Sequence, residues 1–303
     1  MNIKMLCCRD KDNVFEDSLQ SKDAFDAEKS WKAGNIYDEY TFVSLIGQGG
    51  NANVWKAQHK KTKAFVAIKI SQDDRISCNT LGKEFIALKK FKSPHIISPR
   101  YFFYGRNHMS FMVTDMYASD LCYLIEQENR LNDDVLRSIV KEIGTAVQLL
   151  HERDLVHRDI KPDNIFVSDH KTLVLGDFGS IEYEDVMTLH TMIGTLSYSP
   201  PEVLVMVLNS HASVFAVGKP ADVFSLGLTL YAAATGNHLV PDGMTMKQTL
   251  KFYEELDVSE KIDSLDRDEA FKDLLYGMLD YSPIRRLTIS EVLKHRFVTN
   301  FHR

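Results

Sequence analysis

Cysteine is scarce in this chain. Only four occur among 303 residues, at positions 7, 8, 78 and 122. No pair has the Cys-x-x-Cys spacing of a zinc site, and nothing suggests a disulfide framework. Such usage suits a reducing compartment. Cys7-Cys8 has no neighbouring anchor signal, and Asn2 excludes N-myristoylation. Long apolar runs are missing too. The most apolar stretch, Val203 to Leu208, ends at Asn209-Ser210-His211, far short of the roughly 20 residues of a membrane helix. The opening residues lack the apolar segment of a secretory signal. There is no basic excess either: 36 Lys and Arg stand against 42 Asp and Glu, a formal net charge of −6. That balance argues against broad binding to nucleic acid or to an anionic membrane. A soluble intracellular protein of the cytoplasm or nucleus is expected.

What is present is an ordinary globular composition, 44% hydrophobic and 26% charged, on a chain long enough to bury a sizeable core. Residues 1–39 are rich in Asp, Lys and Ser and poor in apolar anchors, and are expected to form a flexible extension. From Thr41 the texture turns to short β-type runs, Phe42–Ile46, Asn53–Ala57 and Ala64–Ile70, with turn-rich stretches between them. Leu81, Phe85 and Leu88 then recur at helical spacing, and Phe102-Phe103 and Ser110–Thr114 read as two further strands. After Ala118 helices dominate. The first starts from Asn132 as N-cap and carries Val135, Ile139, Ile143, Ala146 and Leu150 as its apolar stripe. Strands first and helices afterwards predict an α+β chain of two unequal lobes.

The chemistry concentrates in four stretches. Ile46-Gly47-Gln48-Gly49-Gly50-Asn51-Ala52-Asn53-Val54 is a glycine-rich turn between two strands. It is either a plain hairpin or a place where backbone N–H groups approach phosphate oxygens. No Gly-Lys-Ser/Thr follows, so it is not a Walker-type loop. Lys69 ends the run Val66-Ala67-Ile68, either as an edge-strand charge or as a buried cation needing a partner. Glu84 can be that partner, because it shares a helix face with Leu81 and Leu88. The octet His157-Arg158-Asp159-Ile160-Lys161-Pro162-Asp163-Asn164 puts a carboxylate five residues before an amide in a polar loop. There Asp159 can accept a hydroxyl proton, Lys161 can neutralise a transferring phosphoryl group and Asn164 can hold a metal ion. Asp177-Phe178-Gly179 follows Leu173-Val174-Leu175 and offers a second carboxylate just beyond a strand.

In order and spacing these stretches resemble the signature set of the eukaryotic protein kinase superfamily, over residues 40 to 298. The resemblance implies a bilobal fold: residues 40–117 form an antiparallel β-sheet lobe with one helix, and residues 118–303 a larger, mainly helical lobe. It implies transfer of a phosphoryl group from ATP, with Mg2+, to protein substrates, by a chain active as a monomer. Carried over residue by residue, positions 46 to 54 cover the nucleotide and Val54, Ala67 and Phe166 sandwich the adenine. Thr114 is the gatekeeper, Asp115 to Tyr117 the hinge, and Asp120 meets the ribose. Asn164 and Asp177 hold the metal and Asp159 is the base. Glu202, in Tyr198-Ser199-Pro200-Pro201-Glu202, pairs with Arg286, and Asp222 opens the helix that anchors the catalytic loop. Lys161 two residues after Asp159, together with Thr195, is the serine/threonine pattern.

Several positions depart from the family pattern. Ala52 replaces the third glycine, Pro200 an alanine and Ser282 an aspartate, and the chain is long between Glu202 and Asp222. Arg158 before the catalytic aspartate suggests switching by phosphorylation, with Thr191 and then Thr188 as acceptor candidates. Yet Glu182 stands where a basic residue commonly meets that phosphate, with Glu184 and Asp185 near. We therefore expect Arg158 to be partly satisfied by these carboxylates. Two other classes are weighed against this reading. An inactive kinase-like scaffold would lack one of Lys69, Asp159 or Asp177, and a small-molecule kinase would lack the Thr195–Glu202 segment and Arg286.

Overall fold

The computed structural model describes residues 31–32, 34–50, 52–105, 109–184, 195–208, 218–255 and 258–300. These fall into two compact units. One takes the described residues up to Lys90 with Ser98–Asp115, and the other takes Phe91–Ile97 with the residues from Met116 on.

The first unit is a six-stranded sheet with a long helix. In chain order its elements are β1 (Trp31–Lys32), α1 (Ile36–Glu39), β2 (Tyr40–Gln48), β3 (Ala52–His59), β4 (Phe65–Ser71), α2 (Arg75–Lys89), β5 (Pro99–Tyr104) and β6 (Ser110–Asp115). The strand order is β1-β5-β6-β4-β3-β2. The pairs are antiparallel except at the edge, where β1 runs parallel to β5 with Trp31 opposite Phe102. The sheet therefore reaches into the segment expected to be a separate extension. The reason lies in local chemistry: Asn35 caps α1, Ile36 is 2% exposed, and Lys32 bonds Glu39 at 2.5 Å. One buried isoleucine in a four-residue helix leaves almost no periodic trace in the sequence. Ile36 and Tyr40 join Ala57, Val66, Ile68, Phe103, Phe111 and Val113 in one core cluster.

Helix α2 starts earlier than its apolar spacing predicts, because the Asp74 carboxylate accepts the Ser77 N–H at 2.8 Å and so supplies an N-cap. Its buried face runs Ser77, Cys78, Leu81, Glu84, Phe85, Leu88, the helical repeat that turns residue 84 inward.

The second unit is mainly helical. Its elements begin with β7 (Ser119–Asp120), α3 (Leu121–Glu128), α4 (Asp133–Ser138) and α5 (Gly144–His151), the last two joined by a π turn at Ile139–Ile143. Next come β8 (Leu155–Val156), β9 (Ile165–Val167), β10 (Leu173–Leu175), β11 (Glu182–Tyr183), α6 (Pro201–Leu208), α7 (Lys219–Thr235), α8 (Met246–Glu255), α9 (Val258–Asp263), α10 (Glu269–Met278) and α11 (Ile289–Lys294). Asn132 does cap α4, accepting the Val135 N–H at 3.1 Å. The extra residue of the π turn adds Val140 and Val147 to the buried stripe. Helix α7 is buried on all sides from Ala221 to Ala234, so it forms the axis of this unit. Met116 and Tyr117, expected in the sheet lobe, group with this unit: Tyr117 stacks on Phe166 at 5.4 Å, and the Ala118 N–H bonds the Val167 carbonyl. Among the described residues no helix is long and apolar enough to cross a membrane.

Candidate active site

The first unit presents the glycine-rich turn and the lysine. Gly47 lies opposite Val54 and Gln48 opposite Asn53, and the Gly49 N–H closes the hairpin on the Ala52 carbonyl at 2.9 Å. None of these glycines needs a positive φ, and a Cβ on Gly50 would meet nothing within 4 Å. The fold does not demand glycine at position 50, so the bare backbone there is available to a ligand. Ile46, Gln48, Gly49 and Gly50 are exposed, Ala52 is buried, and Asn51 lies outside the described residues.

Val54 sits opposite Lys69, and Ala67 opposite the buried Thr114. Lys69 Nζ donates to both Glu84 oxygens, at 2.9 and 2.8 Å. The Glu84 side chain is only 2% exposed and that of Lys69 18%, so one end of the pair is desolvated and the lysine end stays reachable. A buried carboxylate costs too much without a partner, and Lys69 supplies one. Asp115 forms an ion pair with Arg100.

In the second unit the loop after β8 is held from below. Asp222, fully buried near the start of α7, accepts the N–H groups of His157 and Arg158 at 2.9 Å each and the His151 Nε2–H at 2.9 Å. Burial alone would raise this carboxyl's pKa. The hydrogen bonds from His151 and from the Arg158 N–H, with the electrostatic field of His151, outweigh it and hold Asp222 below the usual carboxylate range. His157 Nε2–H donates to the Gly176 carbonyl at 3.0 Å, which leaves Nδ1 to accept the Asp159 N–H at 3.3 Å. Arg158 takes a positive φ of 68°, and that turn presents Asp159.

Both Asp159 oxygens are engaged. Oδ1 accepts the Thr195 N–H at 3.1 Å and the Thr195 hydroxyl at 3.4 Å. Oδ2 accepts Asn164 Nδ2 at 2.9 Å and faces Lys161 Nζ at 3.2 Å, while Lys161 also donates to Thr195 Oγ1 at 2.5 Å. Asn164 Nδ2 further donates to the Asp159 carbonyl at 2.8 Å. Two acceptors at one nitrogen fix the amide, so its oxygen points the other way and is suited to a cation.

Strands β9 and β10 pair antiparallel and place Gly176 beside Asn164, whose carbonyl accepts the Gly176 N–H at 2.8 Å. A Cβ on Gly176 would lie 2.3 Å from Phe166 Cε2, so any larger residue forces that ring to shift. Nothing in the sequence singled Gly176 out. Asp177 follows in the left-handed region with φ 54°, exposed, with the Gly179 N–H 3.4 Å from its Oδ1. Phe178 is fully buried, edge-on to His157 at 4.9 Å.

The Asp120 carboxylate accepts the Tyr123 N–H at 2.8 Å and caps α3, a role its assignment to a ribose did not include. The Glu202–Arg286 pair forms as expected, bidentate at 2.6 and 3.0 Å, with side-chain exposures of 8% and 0%. His151, a partner of Asp222, was missed; its signal is a histidine closing the last turn of α5, just before the catalytic loop. Thr188, Thr191 and Asp185 lie outside the described residues. Glu184 is not a partner of Arg158, contrary to expectation. Its carboxylate pairs with Lys219 at 3.2 Å, because the N-terminus of α7 brings that lysine next to it.

A sheet unit with a buried Lys–Glu pair, and a helical unit whose loop fixes an Asp, a Lys and an Asn around one threonine, define a phosphoryl-transfer scaffold. Residues 40–298 match the model of the protein kinase domain, and the chain belongs to that family. It is similar to an Aurora kinase of Debaryomyces hansenii, 27% identical over 87% of this chain and 63% of the relative. It is similar to sperm motility kinase 2B of Mus musculus, 28% identical over 88% of this chain and 53% of the relative. It is also similar to the liver/testis phosphorylase b kinase gamma catalytic chain of Bos taurus, 29% identical over 88% and 68%. The chain thus spans 63% and 53% of the first two curated relatives.

Proposed function

We propose that this chain is a serine/threonine protein kinase that moves the γ-phosphoryl group of ATP to hydroxyls of protein substrates. The observation that carries the reading is the Asp159 carboxylate, held at Oδ1 by Thr195 and at Oδ2 by Asn164 and Lys161. A carboxylate with a fixed orientation can accept a hydroxyl proton without reorganising, so catalysis rests on positioning. Lys161, bridging Asp159 and Thr195, is placed to neutralise charge on the group being transferred. Lys161 two residues after Asp159, together with Thr195, matches the serine/threonine pattern of the family.

The donor set fits a nucleotide and magnesium. Asn164 offers its amide oxygen and Asp177 an exposed carboxylate, both hard ligands. When bound, magnesium neutralises charge on the phosphate oxygens. Lys69, braced by Glu84, would hold the α- and β-phosphates, and the glycine-rich turn would cover them. Thr114, Asp115 and Tyr117 would meet the adenine edge, and Asp120 the ribose. The cysteine usage supports action in the cytoplasm or nucleus, and the chain is read as acting as a monomer. Asp120 and Asp163 favour substrates with basic residues upstream of the target hydroxyl, while Ala232 stands where strongly basophilic kinases often carry an acid.

The test is incubation with ATP labelled at the γ-phosphate, magnesium and a mixture of basic and acidic proteins, followed by phosphoamino-acid analysis. Label on serine and threonine is expected. Label on tyrosine alone, or on small molecules alone, would contradict the assignment.

A further inference from the structure

Two rows of residues cross the whole sheet of the first unit, and both end outside the residues that match the kinase domain. Gly47, Val54, Lys69, Met112, Phe102 and Trp31 stand opposite one another in turn, one on each strand. The next row runs Gln48, Asn53, Ile70, Phe111, Phe103 and Lys32. One end of each row is the glycine-rich turn and the other is β1, while the match begins at Tyr40. Residues directly opposite share a face of the sheet. Phe102 and Lys69 thus look toward α2, where the buried Phe102 and Phe85 rings meet at 5.0 Å. Phe103 and Phe111 look the other way and pack with Ile36 and Tyr40.

Lys69 and Glu84 ride on different elements, one on β4 and the other on α2. Their 2.8 Å contact therefore depends on how α2 sits on the sheet. The contact between Phe85 and Phe102 seats it on β5, which would be an open edge without β1. Residues 31–39 hold that strand from two sides. β1 pairs along its edge, and Lys32 Nζ lies 4.0 Å over the Tyr101 ring while binding Glu39 at 2.5 Å. Ile36 packs on the face away from α2. Lys60 ties α1 down, donating its N–H to the Glu39 carbonyl at 2.8 Å and its Nζ to the Tyr37 carbonyl at 2.6 Å.

We propose that residues 31–39 are a positioning segment for the reaction, with Lys32 and Ile36 as its positioning residues. The segment fixes β5 and, through Phe102 and Phe85, the helix that presents Glu84 to Lys69. This rests on the reading of the chain as a kinase, and it adds to the catalytic unit a part that the family match leaves out. Packed side chains in contact can carry such coupling. The steps are Trp31 to Phe102 along the ladder, Phe102 to Phe85 by ring contact, and Phe85 to Glu84 as neighbours on α2. A Glu84 set back from Lys69 leaves the amine less well placed for phosphate oxygens.

The experiment uses the full chain in four forms: the parent, Lys32→Glu, the charge swap of Lys32→Glu with Glu39→Lys, and Ile36→Ala. kcat and KM for ATP and for a protein substrate are measured, with amide hydrogen exchange beside them. Lys32→Glu sets two carboxylates against each other at a partly exposed site and leaves the core whole. Its kcat/KM for ATP is expected to fall by about fivefold, the scale of one such ion pair, with KM for ATP raised and KM for the protein unchanged. The charge swap is expected to return within about twofold of the parent. Ile36→Ala is expected to lower amide protection about tenfold in β5 and in residues 84–88, and not in α7. Lost folding lowers kcat but cannot move KM for ATP, which separates positioning from mere stability. The inference is overturned if Lys32→Glu keeps the parent's KM for ATP and kcat, or if Ile36→Ala loosens β5 and leaves α2 as it was. A parent that transfers no phosphate sinks the kinase reading; the exchange arm needs no activity and still decides whether the segment holds Glu84 in place.

Discussion

Arg286→Met would test how far a single buried ion pair holds the helical unit together. The arginine is bidentate to Glu202, and it also donates to the Pro220 carbonyl at 2.8 Å and to the Asp280 carbonyl at 3.1 and 3.0 Å. Its guanidinium lies over the Phe224 ring at 4.7 Å. Methionine fills a similar volume but offers no donor. The Glu202 carboxylate is then buried and uncompensated, and two carbonyls lose their partner. Stranding one charge costs about 3–5 kcal/mol, and each orphaned carbonyl adds about 1 kcal/mol or more. Water entry recovers part of that, so the net expectation is about 5 kcal/mol. That is a third or more of the roughly 5–15 kcal/mol available to a folded domain. The assay is urea unfolding followed by far-ultraviolet circular dichroism, with a thermal melt beside it. At roughly 2–4 °C per kcal/mol the melting temperature should fall by about 10–20 °C. Adding Glu202→Gln to Arg286→Met removes the stranded charge and should return about 2 kcal/mol or more. A loss below about 1 kcal/mol, or a double variant no better than the single one, would refute the reasoning.

Other outcomes follow from the same geometry. Asp222 titrates below the usual carboxylate range in the folded chain, so the unfolded chain binds more protons across that interval and stability rises with pH there. The contribution is complete above the ordinary carboxylate pKa and is lost as pH falls through the lowered one. Asp222→Asn should flatten that acid limb when urea midpoints are compared from neutral to acidic pH; an unchanged slope would count against it. Gly176→Ala drives a Cβ to 2.3 Å from the Phe166 ring. It should cost about 1–3 kcal/mol of stability by overpacking. A compensating Phe166→Leu should recover part of that loss in the same melt.

How much of this was legible in the sequence depended on how local each signal is. The Lys69–Glu84 pair could be read because a 3.6-residue repeat turns residue 84 to the same face as Leu81 and Leu88, and the structure buries all three. The octet at 157–164 could be read because its residue types cluster within one loop. What holds that loop could only partly be read. Asp222 was expected, but its partner His151 and the glycine at 176 act through contacts between distant segments that no periodicity encodes. Short elements were also hidden: β1 and α1 rest on one buried isoleucine and a cap. Asp120 shows a different limit. The residue type fits a ribose contact and a helix cap equally well, and only coordinates show that it caps α3.

The central claim is that the Asp159 carboxylate, as held here, takes the proton from the acceptor hydroxyl. The most direct measurement compares Asp159→Asn with the parent for ATP affinity, by calorimetry with magnesium, and for transfer of labelled phosphate to a protein. Asparagine keeps the shape and loses the base. Affinity should stay within about threefold, while transfer should fall by about 10²–10⁴-fold. A variant that transfers phosphate at the parent's rate would contradict the account.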